Sequence, residues 1–128
     1  MAAKKDTLSN ALLNAVLRKV AYASPASVYC ALFTTGPTGT TAGIEVTGGA
    51  YVRQPITFAA ASAGATSNSA AVTFPVASGT WGTVSAVAIC DAVTGGNQLY
   101  FGSLGTAKSV SSGDQLNFAI GALSVTEN

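Results

Sequence analysis

Seven side chains in this sequence have the chemistry for covalent or acid–base work: the thiols Cys30 and Cys90, and the carboxylates Asp6, Glu45, Asp91, Asp114 and Glu127. Their surroundings argue against it. There is no His, so the usual proton carrier near neutral pH is missing, and with it the common Ser-His-Asp and Cys-His systems. Cys30 has no cation or base near it in sequence. Cys90 is followed by Asp91, whose charge opposes thiolate formation. Each carboxylate stands alone in its segment, so neither a carboxylate pair nor an oxygen-ligand metal site is written in the spacing. The Gly-rich stretches at 35–50 and 94–97 lack a Gly-Lys-Ser/Thr ending and do not lead into a helix, which makes them turns rather than phosphate loops. The residues read as a non-enzyme with no cofactor and no metal.

The charges point to contact with other protein. Only 9% of the 128 residues are charged, against roughly a quarter in ordinary soluble domains, and the net charge of +1 excludes a general polyanion binder. Ala, Gly, Ser and Thr fill more than half of the positions, so the core must be built from small side chains. With so little charge to keep a free surface wet, much of the outside is expected to be covered by other protein, the plainer alternative being a β domain coated with Ser and Thr hydroxyls. Lys4, Lys5, Arg18 and Lys19 gather four of the six basic residues at the amino terminus, where they either dock on an acidic partner or form a solvated helix face. Together with Ile44, Glu45, Tyr51 and Arg53 they make up the candidate partner-binding set. Aromatic and basic residues are not interleaved as in a stacking platform for nucleic acid.

The elements that must position these residues follow from periodicity. Apolar residues at 8, 12, 13, 16, 17 and 20 recur every three or four positions and predict an amphipathic helix from Leu8 to about Ala21, with Asp6 or Thr7 as N-cap and Pro25 blocking its continuation. Asn10, Asn14, Arg18 and Lys19 interrupt this stretch too often for a signal peptide. No run reaches the ~18 apolar residues of a membrane span. Residues 27–34 predict a strand covered on both faces, and 35–50 a long exposed Gly/Thr-rich loop suited to partner contact. Further strands are expected at 51–58, 69–75, 83–90, 97–104, 106–110, 114–120 and 122–126, with hairpin turns at 94–97 and 111–114. Asp91 and Asp114 fall where strands should end. Val28, Cys30, Leu32, Phe58, Phe74, Val84, Ile89, Leu99, Phe101, Leu116 and Phe118 are the expected buried positions. Tyr51 and Trp81, flanked by Gly, are either interface anchors or core. The two cysteines are expected as buried free thiols made in a reducing compartment. The whole chain, 1–128, reads as one β-sandwich domain whose first 26 residues form a helical segment.

Several segments in order complete the picture: the opening helix before Ser27-Val-Tyr-Cys-Ala-Leu-Phe-Thr34, then Gly48-Gly-Ala-Tyr-Val-Arg-Gln-Pro55, Ala71-Val-Thr-Phe-Pro75, Trp81-Gly-Thr-Val84, Asp91-Ala-Val-Thr-Gly-Gly-Asn97 and Gly113-Asp-Gln-Leu-Asn-Phe118. From about Leu8 to Thr126 the chain resembles a family of small tailed-bacteriophage structural proteins described as tail-fibre-like. The resemblance implies a virion component with a jelly-roll-like antiparallel β-sandwich, of a kind that commonly serves as trimeric capsid cement. The leading expectation is therefore a cement or decoration protein that trimerises on the major capsid protein through multivalent contacts. The alternative is a tail or tail-fibre-associated component of attachment, whose partner would be a cell-surface glycan. No carbohydrate pocket or fibre-forming repeat is evident in the sequence.

Overall fold

The computed structural model describes residues 3–126, so Glu127 lies outside the described residues. The elements in chain order are β1 (Ala3–Lys4), α1 (Asp6–Leu17), β2 (Val28–Thr35), β3 (Ile44–Glu45), β4 (Gln54–Ile56), β5 (Ala65–Ser67), β6 (Val72–Thr73), β7 (Gly82–Cys90), β8 (Gln98–Val110), β9 (Asn117–Phe118) and β10 (Ser124–Thr126). Six strands form one antiparallel sheet in the order β1-β8-β7-β2-β3, with β4 pairing β2 beside β3; β10-β5 and β6-β9 are separate two-stranded ribbons. The fold is mostly β with one short amino-terminal helix. It corrects the jelly-roll expectation, because two facing four-stranded sheets are not formed among the described residues.

Strand β2 is central, as its unbroken apolar run predicts: residues 30–33 are buried, and it pairs β7 on one side and β3 and β4 on the other. Period-two alternation sends Cys30 and Leu32 to one face and Ala31 and Phe33 to the other. The first face carries the main core, where Leu32, Val84, Val87 and Ile89 meet Val72 and Phe74 of the β6 region, Trp81, and Leu123. A register shift between Val84 and Ala86 explains why Val84 and Val87, an odd number of residues apart, share that face. On the second face Ala31, Phe33, Ala86, Ala88 and Cys90 form a smaller cluster with Phe101 against it.

Small residues decide what covers the second face. No helix lies flat across it; the segment after β2 does, so close that a Cβ on Gly36 would stand 3.1 Å from the Cβ of Ala86. Lys5 fastens that segment. Its Nζ donates to the carbonyls of Thr38 and Thr41 at 2.6 and 2.5 Å and lies 5.9 Å from the Phe101 ring centroid, a cation–π distance. The Asp6 N–H donates to the carbonyl of Gly39 and the Lys5 N–H to that of Leu99. The 35–50 stretch is therefore not a free loop: Pro37 and Val46 are buried and Ile44–Glu45 is strand. Charge-assisted bonds to backbone carbonyls replace the apolar packing that its Gly and Thr residues cannot supply.

Other expectations are redrawn by the fold. The stretches 97–104 and 106–110 are one strand, β8, in which residues 104–107 bulge out opposite Ser85, since Ala86 pairs Ser103 and Val84 pairs Lys108. Of 51–58 only 54–56 is strand, and β5 falls between the expected strands 51–58 and 69–75. The hairpin at 94–97 forms, with Gly95 and Gly96 at positive φ and Asn97 donating from its backbone and side chain to Asp91, 2.7 and 3.0 Å. Asp114 closes the 111–114 turn by accepting from the Ser111 N–H. Trp81 is core, its ring edge-on to Tyr51 and Phe74 and its Nε1 donating to the Gly49 carbonyl at 2.8 Å. Gly49, at φ +57°, has no room for a side chain, because a Cβ would meet Trp81 Nε1 at 2.8 Å. Of the expected core, Cys30, Leu32, Phe74, Val84 and Ile89 are buried, while Val28, Phe58, Leu99, Phe101, Leu116 and Phe118 are half-buried. No described helix is long and apolar enough to cross a membrane.

Cys30 and Cys90 are both free and buried and belong to opposite faces of the sheet. Burial pushes Cys30 up to about 12 and Cys90 up to about 11, so neither is a thiolate at neutral pH. An aromatic disulfide reagent is expected to titrate neither thiol in the native protein and both after denaturation; rapid native labelling of either would contradict this packing. Ala86→Leu should force the 36–43 segment off the sheet and cost about 1–3 kcal/mol, read as a lower denaturant midpoint together with faster amide exchange at 38–41.

Candidate functional site

The densest polar cluster joins β3, the segment after it and the β7–β8 hairpin. Arg53 lies at its centre and is buried. Its Nε and Nη2 donate to the two carboxylate oxygens of Glu45, each at 2.8 Å, the bidentate geometry that makes this pair strong. Its Nη1 donates to the carbonyls of Ala92 and Gly95 at 2.9 and 2.8 Å. Tyr51 donates to Glu45 Oε2 at 2.6 Å and accepts from the Leu32 N–H at 3.0 Å. One ion pair thus ties the 44–53 stretch to the 91–97 hairpin and to the central strand.

The electrostatics follow from this geometry. Burial pushes the Glu45 carboxyl up, but the hydrogen bonds from Arg53 and Tyr51 and the guanidinium charge outweigh it and leave Glu45 below its ordinary value. Burial, and the carboxylate it donates to, hold the Tyr51 phenol far above its ordinary value. Bonding to Glu45 likewise raises Arg53. None of the three changes charge near neutrality, and no nucleophile stands beside a base. A cleft of about 310 Å³ is lined by Glu45, Tyr51 and Arg53 of this cluster together with Thr47, Val52, Val93 and Thr94. The three cluster side chains that line it are already hydrogen-bonded within the protein.

The candidate partner-binding residues therefore separate. Glu45, Tyr51 and Arg53 are brought together, but as an internal clamp. Ile44 is exposed beside them. Lys5 is turned inward against the 38–41 carbonyls, Lys4 is half-buried in the pairing of β1 with β8, and Arg18 and Lys19 are exposed beyond the far end of α1, about 18 Å away along the helix axis. The four amino-terminal cations are not one patch.

A second surface lies on α1. The helical periodicity sets Leu12, Leu13, Val16, Leu17 and Val20 opposite Asn10, Asn14, Arg18 and Lys19 and leaves open whether the domain or a neighbour covers them. In the structure α1 turns Leu8, Ala11, Leu12 and Ala15 inward, with Leu8 buried, while Leu13, Val16, Leu17 and Val20 are 56%, 76%, 73% and 48% exposed. The two stripes are centred roughly 140° apart around the helix. Both stripes carry two Leu; what distinguishes the inward one is Ala11 and Ala15, which fit close contact, against Val16 on the outer one. The helix starts at Lys5 with no side-chain cap and ends at Arg18, whose N–H donates to the Asn14 carbonyl. Asn68 also escaped the sequence reading. It is buried, accepts from the Leu123 N–H at 2.9 Å and donates to the carbonyls of Ala70 and Ala119, which places its role in joining β5 to the carboxy-terminal segment.

Glu45→Gln leaves the buried Arg53 charge without its counter-ion and is expected to cost about 3 kcal/mol. Because the Glu45 carboxyl is held below 4.5, its contribution is fully present above about pH 4.5 and fades as pH falls through the lowered value. Denaturation curves of the two proteins should therefore differ at pH 7 and converge in acid. A constant gap down to pH 2 would show that the carboxylate is not the source.

No curated protein matches the chain. A family model described as podophage GP4 fiber I protein gp80 matches residues 3–126. This sets aside the capsid-cement expectation and the major capsid protein as partner, in favour of the tail-fibre alternative: a non-enzymatic structural component of the virion tail fibre. With the match running from the first strand through the last, the chain belongs to the family of podophage fiber proteins typified by gp80.

Proposed function

We propose that the chain is an assembly subunit of a podophage fibre, fixed in place by protein–protein contact through the apolar stripe of α1. The observation that carries this reading is the exposure of Leu13, Val16 and Leu17 on α1, with Val20 exposed just past its end, in a charge-poor chain. An exposed apolar patch of this kind marks a contact surface, and the i, i+3, i+4 spacing of its three helical members is the anchor pattern of a helix that lies in a groove. Arg18 and Lys19 border the ridge and orient the partner rather than supply the affinity. Recognition of a cell-surface glycan has less support, because Glu45, Tyr51 and Arg53, which line the 310 Å³ cleft, are already bonded to one another.

Burying a Leu or Val side chain stabilises by about 1.5–3 kcal/mol. Leu13→Glu with Leu17→Glu is therefore expected to lower affinity for the fibre at least about 100-fold. Both residues are exposed, so thermal unfolding should be nearly unchanged while incorporation of the variant into assembled particles collapses. Wild-type incorporation of the double variant would rule the helix out as the attachment surface.

A further inference from the structure

The same chain carries a second apolar surface. An apolar hollow of about 210 Å³ is lined by Val28, Phe58, Ile89, Leu99, Tyr100 and Val125. It continues past Thr66, Tyr100 and Val125 into a second hollow of about 270 Å³ bounded by Ala61, Gly64 and Ala65. Each is smaller than the roughly 300–1,000 Å³ of ordinary ligand pockets, but end to end they form a groove suited to a row of aliphatic side chains. No Asp, Glu, Lys or Arg lines either one.

We propose that this groove receives the Leu13/Val16/Leu17 ridge of a second copy of the chain. The proposal rests on the assembly reading above and names the partner. Three observations select it. First, the ridge cannot reach the groove of its own subunit: Leu8 holds the opposite side of the helix inward, and the start of the helix is bonded to β8 through the Lys5 N–H and the Leu99 carbonyl. Second, the groove lacks charge and the charges near α1 lie at its ends, Asp6 before the ridge and Arg18 and Lys19 beyond the last helical residue, so a ridge of this composition buries no unpaired ion. Third, ridge and groove are different surfaces, so each copy has one to give and one to fill. Such a head-to-tail contact propagates to a ring or a filament instead of stopping at a two-fold pair. A single helix in a shallow groove falls short of the ~1,200–2,000 Å² of a standard interface, and repetition supplies the stability that one junction lacks.

The test uses the full chain and two variants that change only exposed positions. V16E/L17E removes the ridge and keeps the groove; Ala61→Trp fills the groove and keeps the ridge. Sedimentation velocity of the wild-type protein is expected to show concentration-dependent association, and each variant alone a folded monomer with native circular dichroism. Mixed one to one, the variants regain a single intact junction and should form a heterodimer and nothing larger. A monomeric wild-type protein at its highest soluble concentration, association that survives either variant, or a mixture that stays monomeric would each overturn the pairing. Loss of V16E/L17E from particles alongside a monomeric wild type would overturn the second copy as partner while leaving the helix as the fibre contact.

Discussion

The guanidinium of Arg53 is the constraint on which the architecture turns. Four of its hydrogen bonds reach Glu45, Ala92 and Gly95, so one side chain fixes an edge strand, the tip of the β7–β8 hairpin and, through Tyr51, the backbone of the central strand. A chain with so few large apolar residues cannot hold these segments by packing alone. The buried ion pair is a specificity device: it stabilises the native arrangement only when every partner is in place, and an arrangement lacking one partner strands a charge away from water.

Lys5 applies the same logic on the other face of the sheet. Ala31, Ala86 and Ala88 leave a shallow surface on which a Gly- and Thr-rich segment lies almost in backbone contact, and the lysine ammonium collects two carbonyls of that segment. The two cations therefore play corresponding parts. Each gathers backbone acceptors of an irregular segment, and each lets small residues stand where bulkier ones would be needed to fill space.

The sequence made some of this legible and hid the rest for physical reasons. The apolar run of β2 announced a central strand, and the Asn and Gly residues at 94–97 announced the hairpin, because both signals are local. The 36–43 segment escaped because what orders it is a lysine more than thirty residues earlier in the chain. Lys5 read as a surface charge for the same reason, and the Glu45–Arg53 pair as separate contact residues, since neither bond is written in spacing. Helix α1 is legible, but which of its sides turns inward is not: period 3.6 identifies a stripe without saying whether the domain or a neighbour covers it. The jelly-roll architecture came from the family resemblance and not from strand pairing, and the pairing is different.

The outward bend of residues 104–107 in β8 bears on how many copies can be kept in one place. Beyond the short stretch paired with β1, this strand borders the sheet, and a long straight border is a template on which a neighbouring chain can zip backbone to backbone. Inserting four residues opposite Ser85 breaks the ladder in mid-strand and leaves no long flat run of donors and acceptors in register. A chain with little charge to hold copies apart is thereby steered away from amyloid-like stacking.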